Sequence, residues 1–273
     1  VGMKLFRLLT ILLGATLVSA CSGNKTAEKA YVERPVYDLY NEAANALEKR
    51  QFGTAARLFD EIERQHPYSL WATKAQVMAG YANYEANNYG DALITLNRFI
   101  QLHPGNKYAP YAYYLRALSY YEQITDVSRD QGVTQEALTS LQDTIRRFPN
   151  TKYARDAKLK LDLTRDHLAG KEIAVGRWYL RQRGYLAAIT RFRQVVEKYQ
   201  TTSHIPEALH RLCEAYSALG LKKEAQKVAS VLGHNYPGSE WYIDSYALIT
   251  GSDVRKTEKE KKGFFARARD WIF

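Results

Sequence analysis

Cysteine is nearly absent, with two in 273 residues, so no disulfide framework holds this fold. Proline is scarce at seven, which leaves room for long helices. Strand-like alternation of polar and apolar residues is missing, and with it the signature of a half-buried sheet. The chain carries no Gly-rich phosphate loop, His-Glu-x-x-His, Gly-x-Ser-x-Gly or Cys-x-x-Cys. The enzyme classes built on those motifs are therefore not indicated. Six scattered histidines form no metal-binding spacing, and no cofactor is expected. What the chain does have is ordinary for a folded protein: 46% apolar and 25% charged residues. That balance excludes a mainly disordered chain and a multi-span membrane protein. A formal charge of +10 permits contact with anionic lipid, nucleic acid or acidic proteins and selects none of them. Tyrosine is the outlier, at 21 against 9 Phe and 4 Trp.

The N-terminus reads as an address. Lys4 and Arg7 precede an apolar run from Leu8 to Val18, followed by Ser19, Ala20 and Cys21. The run is too short for a stable transmembrane helix and fits a signal peptide over residues 1–20. Val18-Ser19-Ala20-Cys21 resembles a bacterial lipobox, whose class is cut before the cysteine and acylated on it. Ser22 stands where an Asp would resemble the inner-membrane retention signal, so the expected site is the outer membrane, with the body in the periplasm. Residues 21–34 then serve as the lipidated Cys and a polar tether. In that compartment nucleic acid is not an expected partner.

Helical periodicity runs from about Pro35 to Gly251, and it repeats. Ala55, Ala92, Ala137, Ala188 and Ala225 open similar patterns, at spacings of 37, 45, 51 and 37. Phe59, Leu96, Leu141, Phe192 and Ala229 follow four residues later, and Pro67, Pro104, Pro149 and Pro237 close four of the five patterns. A small residue stands twelve before the alanine in four of them: Ala43, Gly80, Gly176 and Cys213. Small residues let two helices approach, bulky ones fill the seam, and Pro ends the second helix. The pattern resembles the tetratricopeptide repeat, although the family period of about 34 is shorter than any spacing here. The expected fold is all-α: five repeats in a superhelical array, with two lobes joined by a long helix. Repeats 1–3 occupy residues 35–150. The long helix, running from about Thr151 toward Arg183, and repeats 4–5 occupy 151–251. The eight residues extra in repeat 3 are placed in a loop from Thr125 to Gly132.

In such arrays the first helix of each repeat lines the inner face. Tyr37, Tyr40 and Leu47 fall there in repeat 1, and Val77, Tyr81 and Tyr84 in repeat 2. Tyr111, Tyr114, Leu118 and Tyr121 follow in repeat 3. Glu48, Glu85 and Glu122 recur beside them, 37 apart. The set predicts a tyrosine-lined groove edged with carboxylates, suited to an aromatic-rich peptide. Packing between helices is the alternative role for each tyrosine. In repeat 4, Arg177, Arg181, Arg183, Arg191 and Arg193 form a basic group, either a grip for an acidic partner domain or a solvated charged face. Residues 252–273 combine a charged linker with Phe264, Phe265, Ala268, Trp271 and Ile272 at helical spacing. That tail reads as a membrane- or partner-binding amphipathic helix, or as a cap on the last repeat.

Three stretches extend the likeness: Leu39-Tyr40-Asn41-Glu42-Ala43, Arg98-Phe99-Ile100-Gln101-Leu102-His103-Pro104 and Phe148-Pro149-Asn150-Thr151-Lys152-Tyr153. In that order, behind a lipobox and a short tether, they resemble the BamD (ComL) family of lipoproteins of the outer-membrane β-barrel assembly complex. The resemblance implies a non-catalytic periplasmic scaffold on the outer membrane. It implies partners among the periplasmic domains of BamA, other lipoproteins of the complex and unfolded barrel precursors. By the same resemblance repeats 4 and 5 carry the BamA contact, with Arg191 the foremost candidate. A pilotin-like or cell-wall-coordinating lipoprotein of the same fold is the alternative.

Overall fold

Four of the five repeats begin with a helix that ends in a turn few residues tolerate. The computed structural model describes residues 33–127 and 129–252. The signal peptide, Cys21, most of the tether, and the tail from residue 253 lie outside the described residues. The described helices are α1 (Val36–Glu48), α2 (Phe52–Gln65), α3 (Leu70–Glu85), α4 (Tyr89–Leu102), α5 (Ala109–Tyr121), α6 (Gly132–Arg147), α7 (Lys152–Arg181), α8 (Tyr185–Lys198), α9 (Ile205–Ala218), α10 (Lys222–Asn235) and α11 (Glu240–Thr250). No strand occurs among the described residues. Sequential helices pack antiparallel as five hairpins, α1–α2 through α9–α10, and α11 covers the open end against α9 and α10.

The hairpin turn is the same in four repeats. Arg50, Asn87, Arg183 and Gly220 adopt φ of 56°, 59°, 58° and 75°. The next residue then donates its N–H to a carbonyl five back: Gln51 to Ala46, Asn88 to Asn83, Gly184 to Tyr179 and Leu221 to Tyr216, at 2.8–2.9 Å. This left-handed stop satisfies carbonyls that the helix end leaves open. Repeat 3 lacks it. There no helix is described between Tyr121 and Gly132, and Gly132 opens α6 rather than closing the loop. The turn between repeats is equally regular. His66, His103, Phe148, Tyr199 and Tyr236 cap the second helices with φ between −125° and −136°. Pro follows four of them and cannot extend the helix. The next helix starts on a side-chain cap at Ser69, Thr151 and Ser239, whose hydroxyls accept a backbone N–H.

Packing follows the repeat pattern. Ala55, Ala92, Ala137 and Ala188 are fully buried, as are Phe59, Leu96, Leu141 and Phe192 four residues on. Each large side chain buried this way contributes about 1.5–3 kcal/mol of apolar transfer. The small-residue position is filled by Ala43, Gly80, Gly176 and Cys213 and, in repeat 3, by Ala117; all of these are buried. At Gly80 an added Cβ would lie 2.7 Å from Leu96 Cδ2, and at Gly176 it would lie 2.4 Å from Phe192 Cε1. Burial raises the Cys213 thiol pKa against hydrogen bonds to Ser217 and Ser245, which keeps it an uncharged packing group. The helix α7, 30 residues long, spans about 45 Å. Its first half packs on α6 and its second half forms the hairpin with α8.

Candidate functional site

The expected groove residues lie on α1, α3 and α5, but two of them belong to the core. Val77 and Leu118 are buried and join the cluster between the second and third hairpins. Leu47 packs on the edge of the first. The remaining aromatics form two groups.

The first group lies where repeats 1 and 2 begin. Tyr40 stacks at 5.6 Å on Phe59 and at 4.7 Å on Trp71, and Tyr37 meets Trp71 at 6.4 Å between centroids. Lys74 Nζ stands 4.8 Å from the Tyr40 ring centroid. A hydrogen bond with Tyr40 holds the Lys74 ammonium above its usual range, against the opposing effect of burial. The group is thus a cation seated on aromatic faces.

The second group runs across α3, α5 and α7. Burial and the Glu85 carboxylate push the Tyr81 phenol up, and the two side chains hydrogen-bond. Tyr84 is pushed up to about 12 by burial, the charge of Glu122, Tyr89 and Glu85, and a hydrogen bond to Glu122. Tyr111 is raised by burial and by Tyr81, Tyr153 and Glu85. Its ring lies 5.4 Å from Tyr153, which in turn lies 5.3 Å from Tyr114. Tyr114 donates to Asp156. Lys160, paired with Asp156 at 3.7 Å, sits 5.1 Å from the centroid of Tyr121. Tyr81, Tyr84, Glu85, Tyr111, Tyr114, Tyr121 and Glu122 therefore form one partly exposed surface. Burial holds the Tyr81, Tyr84, Tyr111 and Tyr114 phenols in their neutral form, and the edge of the surface carries carboxylates. Glu48 is exposed at the end of α1, and no contact joins it to this surface.

Trp71, Lys74, Tyr89, Tyr153, Asp156 and Lys160 are absent from the sequence-derived set. A signal for two of them was present. Trp71, Tyr108, Tyr153 and Trp241 each stand five residues after a helix-ending cap, so the aromatic recurs with the turn rather than with a 37-residue count.

The arginines of repeat 4 are less free than their number suggests. Arg177 makes a two-pronged bond to the buried Glu207, which Arg211 also contacts. Arg191 pairs with Glu172 at 3.2 Å, and Arg193 with Glu197 along α8 at 3.6 Å. Arg181 has no carboxylate partner among the described residues. It lines a cavity of about 470 Å³ with Arg177, Arg211, Glu214 and Tyr185. Burial raises the Glu214 pKa, but bonds from His210 and Arg211 outweigh that effect and hold it low. A larger hollow, about 770 Å³, lies between α2 and α4. Its Arg98 and Glu63 pair with each other, so the charges there largely cancel. Among the described residues no cluster of His, Cys, Asp and Glu is arranged to hold a metal, and no helix is long and apolar enough to cross a membrane.

Comparison with known proteins agrees with this architecture. Residues 32–232 match the family model YfiO, described as an outer membrane lipoprotein. The outer membrane protein assembly factor BamD of Caulobacter vibrioides is 50% identical over 244 residues, 89% of this chain and 80% of that protein. BamD of Rickettsia prowazekii is 47% identical over 248 residues, 90% of this chain and 98% of that protein. Among solved structures, the TPR2AB domain of yeast Sti1 aligns with 83% of this chain and 86% of its own at 13% identity and a TM-score of 0.41. The repeat assignment rests on the turn and packing register, not on that distant likeness. Two curated relatives at about half identity and a family model spanning most of the described residues settle the affiliation: the chain belongs to the BamD (YfiO) family of outer membrane protein assembly factors.

Proposed function

We propose that this chain is a lipid-anchored, periplasm-facing scaffold of the outer-membrane β-barrel assembly machinery. It binds unfolded barrel precursors through repeats 1–3 and the periplasmic domains of BamA through repeats 4 and 5. Acylation at Cys21 supplies the anchor. The observation that carries the reading is the continuous tyrosine surface over α3, α5 and α7, with neutral phenols at Tyr84, Tyr111 and Tyr114. Such a surface offers large, rigid contact area at low entropic cost and tolerates varied aromatic segments. Two weak contacts on one anchored scaffold then act together through local concentration. Other lipoproteins of the complex complete the partner set.

A photocrosslinking residue in place of Tyr84, in cells, tests the substrate half. Capture of barrel precursors is expected; capture of a secretin or of wall-synthesis proteins alone would favour the pilotin-like alternative. For the partner half, Arg181→Glu is the cleaner variant, because Arg191→Glu also breaks the pair with Glu172. Loss of BamA on co-purification with Arg181→Glu, at unchanged thermal stability, is the expected result.

A further inference from the structure

The five turns between a second helix and the following element open alike: the third residue after each of the caps His66, His103, Phe148, Tyr199 and Tyr236 donates its N–H to the cap's carbonyl at 3.0–3.2 Å, and the next helix then begins four residues after the cap in three turns and six after it in two. Two positions after the cap, all five residues face solvent: Tyr68, Gly105, Asn150, Thr201 and Gly238. Four positions after it they are again all exposed: Leu70, Lys107, Lys152, Ser203 and Glu240. Four turns therefore place small or polar residues at these points. The first alone places Tyr and Leu there, with 101% and 93% of their surface exposed. Tyr37, 61% exposed, lies against Trp71 of the same end, and Lys74 stands over that ring.

We infer that this rim is a membrane-contacting edge that rests on the bilayer surface; the inference depends on the acyl anchor proposed above. Tyr and Trp with a neighbouring Lys are the side chains suited to the headgroup boundary, having an apolar body and a polar tip. The position fits as well. Fourteen residues separate Cys21 from Val36, and even fully extended they reach only about 50 Å. The first repeat is thus the part of the array joined to the anchor by the shortest length of chain. A partner protein is the poorer occupant. Stable protein interfaces draw on about 20–30 residues a side, whereas this rim consists of Tyr37, Tyr68, Leu70, Trp71 and Lys74. A few weakly inserting side chains acquire an effect only beside a covalent anchor, where they fix the orientation of the array against the membrane.

The test uses the full-length acylated protein in vesicles of phosphatidylethanolamine and phosphatidylglycerol, with Trp178, Trp241 and Trp271 each replaced by Phe so that Trp71 is the sole indole. The vesicles carry bromine high on the acyl chains. Quenching of Trp71 is expected, and loss of that quenching in Tyr68→Asn/Leu70→Lys, which borrows the residues of the third turn and keeps the helical signal and melting temperature. Flotation and mass are read in parallel. A protein that is not acylated and does not float overturns the anchor and the rim together. One that is acylated and floats, yet leaves Trp71 unquenched, overturns the rim alone. Unquenched emission that shifts on adding an unfolded barrel protein makes the rim a peptide surface, and also overturns the inference.

Discussion

At the scale of single residues, close approach and neutral phenols do most of the work. Gly176 is glycine because Phe192 occupies the space of its Cβ. Phe192 is fully buried, so its ring cannot swing away. Gly176→Ala should lower stability by about 1–3 kcal/mol. Gly53, on α2, has nothing within 4 Å of its missing Cβ, and Gly53→Ala should raise stability by about 0.5–1 kcal/mol. Urea midpoints of the two variants decide, and equal shifts would contradict the packing account. The tyrosines predict a pH response. Tyr81, Tyr84, Tyr111 and Tyr114 all ionise higher in the fold than in the open chain. Above pH ~10 the unfolded chain loses these protons first, so stability falls with rising pH. Below it their contribution is fully present. Urea midpoints should begin to fall above about pH 8.5, where the unfolded chain first ionises the thiol that burial keeps protonated at Cys213, and drop more steeply above about 10 as the tyrosines join. Tyr84→Phe, which removes a phenol titrating near 12, should make that drop shallower.

At the scale of the element, the left-handed hairpin turn recurs in four of the five repeats. Three of its four left-handed positions are filled by Arg50, Asn87 and Arg183, and one by Gly220. A side chain there costs about 1 kcal/mol relative to glycine. Arg183→Gly should therefore stabilise the fourth hairpin by about 0.5–1 kcal/mol. Gly220→Ala should destabilise the fifth by a similar amount. Calorimetric melting of both variants tests the pair, and a loss of stability in Arg183→Gly would show that its side chain contributes more than its backbone strain costs. The third hairpin has no such turn, and its long connection explains why the spacing there grows while the buried seam is kept.

At the scale of the whole molecule, α7 is the element on which continuity rests. It closes the third repeat against α6 and opens the fourth against α8. Repeat arrays hold together through neighbour contacts, so a break in α7 should be felt on both sides. Leu163 is mid-helix and 60% exposed. Leu163→Pro should cost about 3 kcal/mol or more through the backbone alone. Leu163→Ala, a surface change, should stay within about 0.5 kcal/mol. Hydrogen exchange should then quicken in both α6 and α8 of the proline variant. A change confined to α8 would mean that the two halves of the array unfold independently.

Much of this was written in the chain itself. The five alanines, the bulky residues four beyond them, the small residues twelve before and the closing prolines are local spacings. They specify which faces are buried, because a helix presents positions three and four apart to one neighbour. The length of α7 followed from unbroken periodicity between Thr151 and Arg183. What the chain could not reveal was which partly apolar side chains remain outside the core. Val77 and Leu118 share a helix face with tyrosines yet fall into the seam, since the angle between stacked hairpins decides where the core ends. Nor could it reveal pairing. Arg177 finds Glu207 thirty residues away, and Tyr114 finds Asp156 on the next repeat. Those encounters depend on the rotation from one hairpin to the next, which is set by the summed packing of all the seams. Local spacing determined the repeat, and only the stacked array decided which charges pair internally and which aromatic surface stays partly exposed.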